Sequence, residues 1–184
     1  MTRIFSVALY YHFAFMAISI ALLGLGISGM ALYLFPNFFS RKNSSKIMAW
    51  SSILFSLSIL AVLFAIINLK IELYVTSSSV LSMAVLYLLL VLPFFFGGII
   101  ISLILTHFSD KISKLYFYDL IGASLGSIGV IFLLKFIGGP NGLIFISLLG
   151  LLIAIIISFY FKLTKTTIFT ILLIISIFSL FFVG

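Results

Sequence analysis

The chain has 184 residues, of which 65% are hydrophobic and only 7% charged, with a formal net charge of +7 and no cysteine. A soluble domain needs roughly a quarter charged residues to cover its surface, so a mean hydropathy of +1.48 assigns the outside of this protein to lipid. The Lys and Arg residues stand singly or in small groups between apolar blocks, which excludes the clustered basic face of a nucleic-acid binder, and the lack of cysteine excludes disulfides and thiolate metal sites.

A helix needs about 20 apolar residues to span the hydrocarbon core, and six stretches qualify. The first runs from about residue 8 to 35 and stops at Pro36-Asn37. Its apolar run far exceeds the roughly 7–15 residues of a signal-peptide core, so it reads as a first transmembrane helix. Within it, "GLGISG" (Gly24 to Gly29) has the letters of a dinucleotide fingerprint. That motif works only where a strand turns into a helix. Here the glycines lie in mid-helix, and the expectation is a small-residue face, Gly24 included, for close helix packing.

The second span covers about 47–69 and the third about 80–106. Pro93 in the third lacks an amide donor and crowds the preceding turn. With Gly97 and Gly98 just beyond it, a kink is expected there. The fourth span, about 115–137, opens on "LYFYDLIGASLGS" and ends at the "GGPNG" of residues 138–142. The fifth covers about 143–161 and the sixth about 167–184. Barrel strands alternate apolar and polar residues, whereas these blocks are apolar on every face. The expected fold is an all-α polytopic transmembrane bundle of about six helices, a single domain over residues 1–184 with no soluble domain.

Six spans place Arg3, Lys70 and Lys135 on one side of the bilayer and Arg41, Lys42, Lys46, Lys111, Lys114, Lys162 and Lys165 on the other. Basic residues mark cytoplasmic loops. The N-terminus is therefore expected outside the cell membrane, with loops one, three and five cytoplasmic. The final "ISIFSLFFVG" ends without a basic or polar anchor, which leads to the expectation of a partner domain, or a further span, beyond Gly184 or on another polypeptide.

In the fourth span Asp119, Gly122, Gly126 and Gly129 recur at three- and four-residue spacing and share one helix face. Gly122 and Gly126, with Ala123 beside them, form a GxxxG pattern that admits a close neighbour. This face is expected to press against another helix, with Asp119 at its cytoplasmic end and turned from lipid. Three roles stay open for Asp119: complementing the helix N-terminus, pairing with Lys111 or Lys114, or serving as a substrate or proton site. Tyr11, His12 and Tyr116 complete the candidate polar set, although the topology puts His12 near the opposite side from Asp119. With only His12 and His107, no HExxH, and Glu72, Asp110 and Asp119 in separate loops or spans, no metal or cofactor is expected, and catalysis by this chain alone is not expected.

The segments "YYHFAFMAISIALLGLGISGMAL", "LPFFFGGIIISLIL" and "LYFYDLIGASLGSI" leading to "GGP" together resemble the membrane region of spermidine synthase-like integral membrane proteins of bacteria and archaea. The resemblance covers roughly residues 10 to 150 and is sharpest over Tyr116 to Gly126. It picks out Tyr11, His12, Gly24, Pro93, Phe94, Tyr116, Asp119, Leu120, Gly122, Ala123 and Gly126. It implies a multi-span region that anchors or serves a cytoplasmic aminopropyltransferase-type domain, in cis or in trans, whose active site lies outside these residues. A small transporter or half-transporter for a polyamine or other cation is the alternative, and a structural membrane subunit a third. The partners expected are the bilayer, that domain and, as a further possibility, a second copy in a homo-oligomer.

Overall fold

The computed structural model describes the backbone of residues 2–41, 43–68 and 77–183, and the side chains of residues 15–41, 43–68, 84–108, 110–164 and 166–175. Six α-helices follow one another: α1 Thr2–Leu34, α2 Ser44–Asn68, α3 Ser77–His107, α4 Ile112–Phe136, α5 Gly139–Tyr160 and α6 Thr164–Val183. A short 3-10 turn, Ser109–Lys111, joins α3 to α4. Five of these helices are long and apolar enough to cross a membrane. In hydrocarbon every backbone amide and carbonyl must be satisfied within the segment, which a helix does alone.

Helices α2 to α6 begin about three residues before the expected apolar runs. The extra residues include Ser44, Ser45, Ser77, Ser78, Thr164 and Thr166. Apolar length locates the part in lipid but not the polar first turn, which Ser and Thr tolerate well. Helix α3 runs through Pro93 without a break.

Spatial order differs from chain order. Helix α1 packs on α3, α3 on α2, α2 on α5 and α5 on α6, while α4 stands at the side. Met48, Ile99 and Leu103 form one buried cluster where α2 meets α3, and Ile53, Leu151 and Ala154 form another where α2 meets α5. At one end, His107 Nε2 lies 3.0 Å from the Phe39 carbonyl oxygen and donates to it, tying α3 to the α1–α2 turn. The α5–α6 turn meets the start of α2 at this same end. Arg41, Lys46, Lys111, Lys114 and Lys162 therefore collect at one end of the bundle, and Lys135 lies at the other.

Candidate functional site

Two seams of small residues hold the bundle. In the first, a Cβ on Gly24 of α1 would stand 2.6 Å from Phe94 Cβ and 2.9 Å from the Val91 carbonyl oxygen of α3. One turn on, a Cβ on Gly98 would meet the Ser28 side chain and Leu25. Gly97 is looser, 3.7 Å from the Phe55 ring of α2. The "GLGISG" stretch is helical throughout, and within it Gly24 makes the close approach while Gly26 and Gly29 face open space.

The second seam joins α2 to α5. Ser147 Oγ donates to the Ser56 carbonyl oxygen at 3.2 Å, and a Cβ on Gly150 would meet Ser56 Oγ and stand 2.8 Å from the Phe55 ring. Ser52 and Ser56 donate to carbonyls one turn back, those of Met48 and Ser52. These hydroxyls are thus satisfied inside an apolar surrounding, as a buried polar group must be. The sequence reading does not anticipate this seam, because a serine in a helix shows no facing partner. The crowding of Ser51, Ser52, Ser56 and Ser58 into one apolar span is the signal that marks it.

Helix α4 is unlike the rest. Only Leu115 and Leu133, near its two ends, are partly covered, and residues 116–132 are all exposed. Leu133 fills the notch over Gly142 of α5. Between those ends, a Cβ on Gly122, Gly126 or Gly129 would meet nothing within 4 Å. The neighbour expected for the Asp119, Gly122, Ala123, Gly126, Gly129 face does not come from the described part of the chain. Physically, the two ends of α4 are held by short connections, while the closest packing surfaces of the bundle are already taken by α1–α3 and α2–α5.

Asp119 is the eighth residue of α4, about 10 Å in from the first residue at 1.5 Å per residue. With Tyr116 and Tyr118 it lines a cleft of about 270 Å³ whose other wall is Ile101, Ile104 and Leu105 of α3. No hydrogen bond or ion pair reaches its carboxylate among the described residues, so Lys111 and Lys114 do not pair with it. The side chains of Tyr11 and His12 lie outside the described residues. The backbone register is nevertheless set, because Gly24 meets Phe94 and Ser28 meets Gly98. The Asp119 cleft is thus level with residues 31–35 of α1, about 30 Å from position 12. The structure does not bring Asp119 and His12 together.

A carboxylate flanked by two tyrosine rings on an apolar wall can accept a cation by charge and by the ring faces. Among the described residues no three His, Cys, Asp or Glu side chains are grouped to hold a metal ion. Comparison with known proteins gives no relative: no family model, no curated protein and no solved structure matches this chain.

Proposed function

We propose that this chain is a membrane-embedded assembly module that leaves α4 open for a partner, with the basic end of the bundle on the cytoplasmic side and the N-terminus outside. The observation that carries the reading is the uncovered stretch 116–132, which bears an acid and three glycines on one face. An acid left without a partner on a transmembrane helix is costly, and a GxxxG face offers a partner helix close approach. Covering that face lowers the first cost and uses the second. Following the resemblance over Tyr116 to Gly126, the assembly serves an aminopropyltransferase-type domain at the basic end.

The natural chain has no cysteine, so single substitutions report contacts in membranes. Ala123→Cys and Val130→Cys lie on the Asp119 face, and Ile121→Cys and Ile128→Cys on the opposite one. With each cysteine carrying a maleimide-benzophenone, photo-cross-linking at 123 and 130 but not at 121 and 128 is the expected result, with the adduct mass giving a second copy or another chain. No cross-link at any position, or equal cross-linking at all four, sinks the reading.

A second reading rests on the cleft of Asp119, Tyr116 and Tyr118: a carrier for a polyamine or another organic cation. It predicts that Asp119→Asn lowers labelled polyamine uptake into proteoliposomes to background with the inserted amount unchanged. Unchanged uptake removes it.

A further inference from the structure

At the basic end a second cleft, of about 550 Å³, opens between the start of α2, the α5–α6 turn and the start of α6, lined by Lys46, Trp50, Lys162, Thr164, Thr166 and Phe169. Its two lysines are exposed and neither ion-pairs with an acid among the described residues; the described acids, Asp110 and Asp119, do not line it. The start of α6, where the amides of residues 164–166 have no carbonyl one turn behind them in the helix to bond, forms part of its rim. Deeper along the two helices, the Trp50 and Phe169 rings meet at 5.6 Å between centroids and 39° between planes. The cleft is therefore cationic at the mouth and aromatic below.

The backbone adds an independent observation. Lys162 has φ 54°, the one non-glycine residue at positive φ among those described. Its amide donates to the Phe159 carbonyl at 3.2 Å and the Leu163 amide to the Ser158 carbonyl at 2.8 Å. This pair of bonds ends a helix through a left-handed residue, a position that glycine fills without steric cost. A lysine there gives up that ease, and what it gains is a cation at the rim of the cleft. Unfavourable backbone held in place at a cleft is a pointer to function.

We propose that this cleft binds the headgroup of an anionic phospholipid, its phosphate between Lys46 and Lys162 at the first turn of α6 and its upper acyl carbons against Trp50 and Phe169. The lower, aromatic half selects a lipid over a free anion. Ordinary attraction of a basic surface for an anionic leaflet spreads over all its lysines; this site concentrates it on two.

Trp50 is the only tryptophan of the chain, so its fluorescence reports on the cleft directly. The test uses the full chain as the only protein in liposomes of phosphatidylcholine doped with brominated phosphatidylglycerol or, separately, brominated phosphatidylcholine. The natural chain should show a quenching preference for the anionic lipid of at least about fivefold, the factor worth one lysine at an anionic surface. Lys46→Gln combined with Lys162→Gly should bring the preference to about one. Lys111→Gln with Lys114→Gln, away from the cleft, should leave it in place. Because glycine suits the turn, Lys162→Gly alone keeps the fold and carries the test if the double variant loses helicity. An unchanged preference in the Lys162→Gly chain, or an equal loss in the Lys111/Lys114 pair, overturns the proposal. So does relief of quenching by millimolar inorganic phosphate, which would make the ligand a soluble anion.

Discussion

Helices α2 and α4 are each 25 residues long and each apolar enough to cross a membrane, yet they have opposite places in the protein. Helix α2 has buried residues from Ser44 to Ala65 and packs on both α3 and α5, whereas α4 buries no residue. The difference runs against the usual sign, because α4 carries the GxxxG face and α2 has no glycine. Lipid tails are as apolar as leucine, so helices in a membrane gain little from apolarity and associate by close fit and hydrogen bonds. A small face supplies half of a fit. Helix α2 meets its other half in Ser147 and Gly150 of α5, and α4 meets none among the described residues.

The sharpest way to break this comparison is to add bulk to each side of it. Gly150→Leu would drive a side chain into Ser56 and the Phe55 ring, and should cost about 3 kcal/mol, the upper part of the usual overpacking range. Gly126→Leu, with open space around it, should instead stabilise by about 0.5–1 kcal/mol in monomeric detergent solution, because leucine favours a helix over glycine. Reversible unfolding in mixed micelles measures both. Equal losses would mean that α4 is packed as tightly as α2 and would remove the contrast.

A finer version of the same test lies within one helix. Gly24→Ala meets Phe94 Cβ and the Val91 carbonyl and should destabilise by about 1–2 kcal/mol. Gly26→Ala, two residues on and facing nothing within 4 Å, should stabilise by about 0.5–1 kcal/mol, the helix advantage of alanine over glycine. Opposite signs in the same unfolding assay are the expected outcome. Ser147→Ala should cost about 0.6 kcal/mol, the mean value of a hydrogen bond between membrane helices, since the Ser56 carbonyl keeps the amide four residues on as a donor; a loss several times larger would mean that the α2–α5 seam repacks around the missing hydroxyl. The smallest effect is expected at Asp119→Asn: the monomer should unfold within about 0.5 kcal/mol of the natural chain, since no partner of the carboxylate is lost inside it. A large loss there would mean that α4 closes on the bundle in solution.

Some features of the site are legible in the amino-acid sequence. The helical reading of "GLGISG" comes from its flanks, and Gly24 is where that stretch makes its close approach. The Asp119 face is also legible as a face, because three- and four-residue spacing is a property of one helix. What faces it is not such a property. Likewise Lys46 and Lys162 are 116 positions apart in the chain, and neither carries any mark of sharing a cleft. Lys162 does not stand out as a left-handed residue either, since the usual mark of that turn is glycine.

Composition and the lengths of the apolar runs are enough to establish a membrane-embedded chain of about six helices. Both are local quantities, set by the cost of leaving backbone groups unpaired in hydrocarbon and by the thickness to be crossed. The order α1, α3, α2, α5, α6, the choice of Gly24, Gly98 and Gly150 over Gly122, Gly126 and Gly129 as contact points, and the cleft between Lys46 and Lys162 are decided only by the tertiary structure. Each depends on the fit of two surfaces, and a pairing between surfaces is written in neither segment alone.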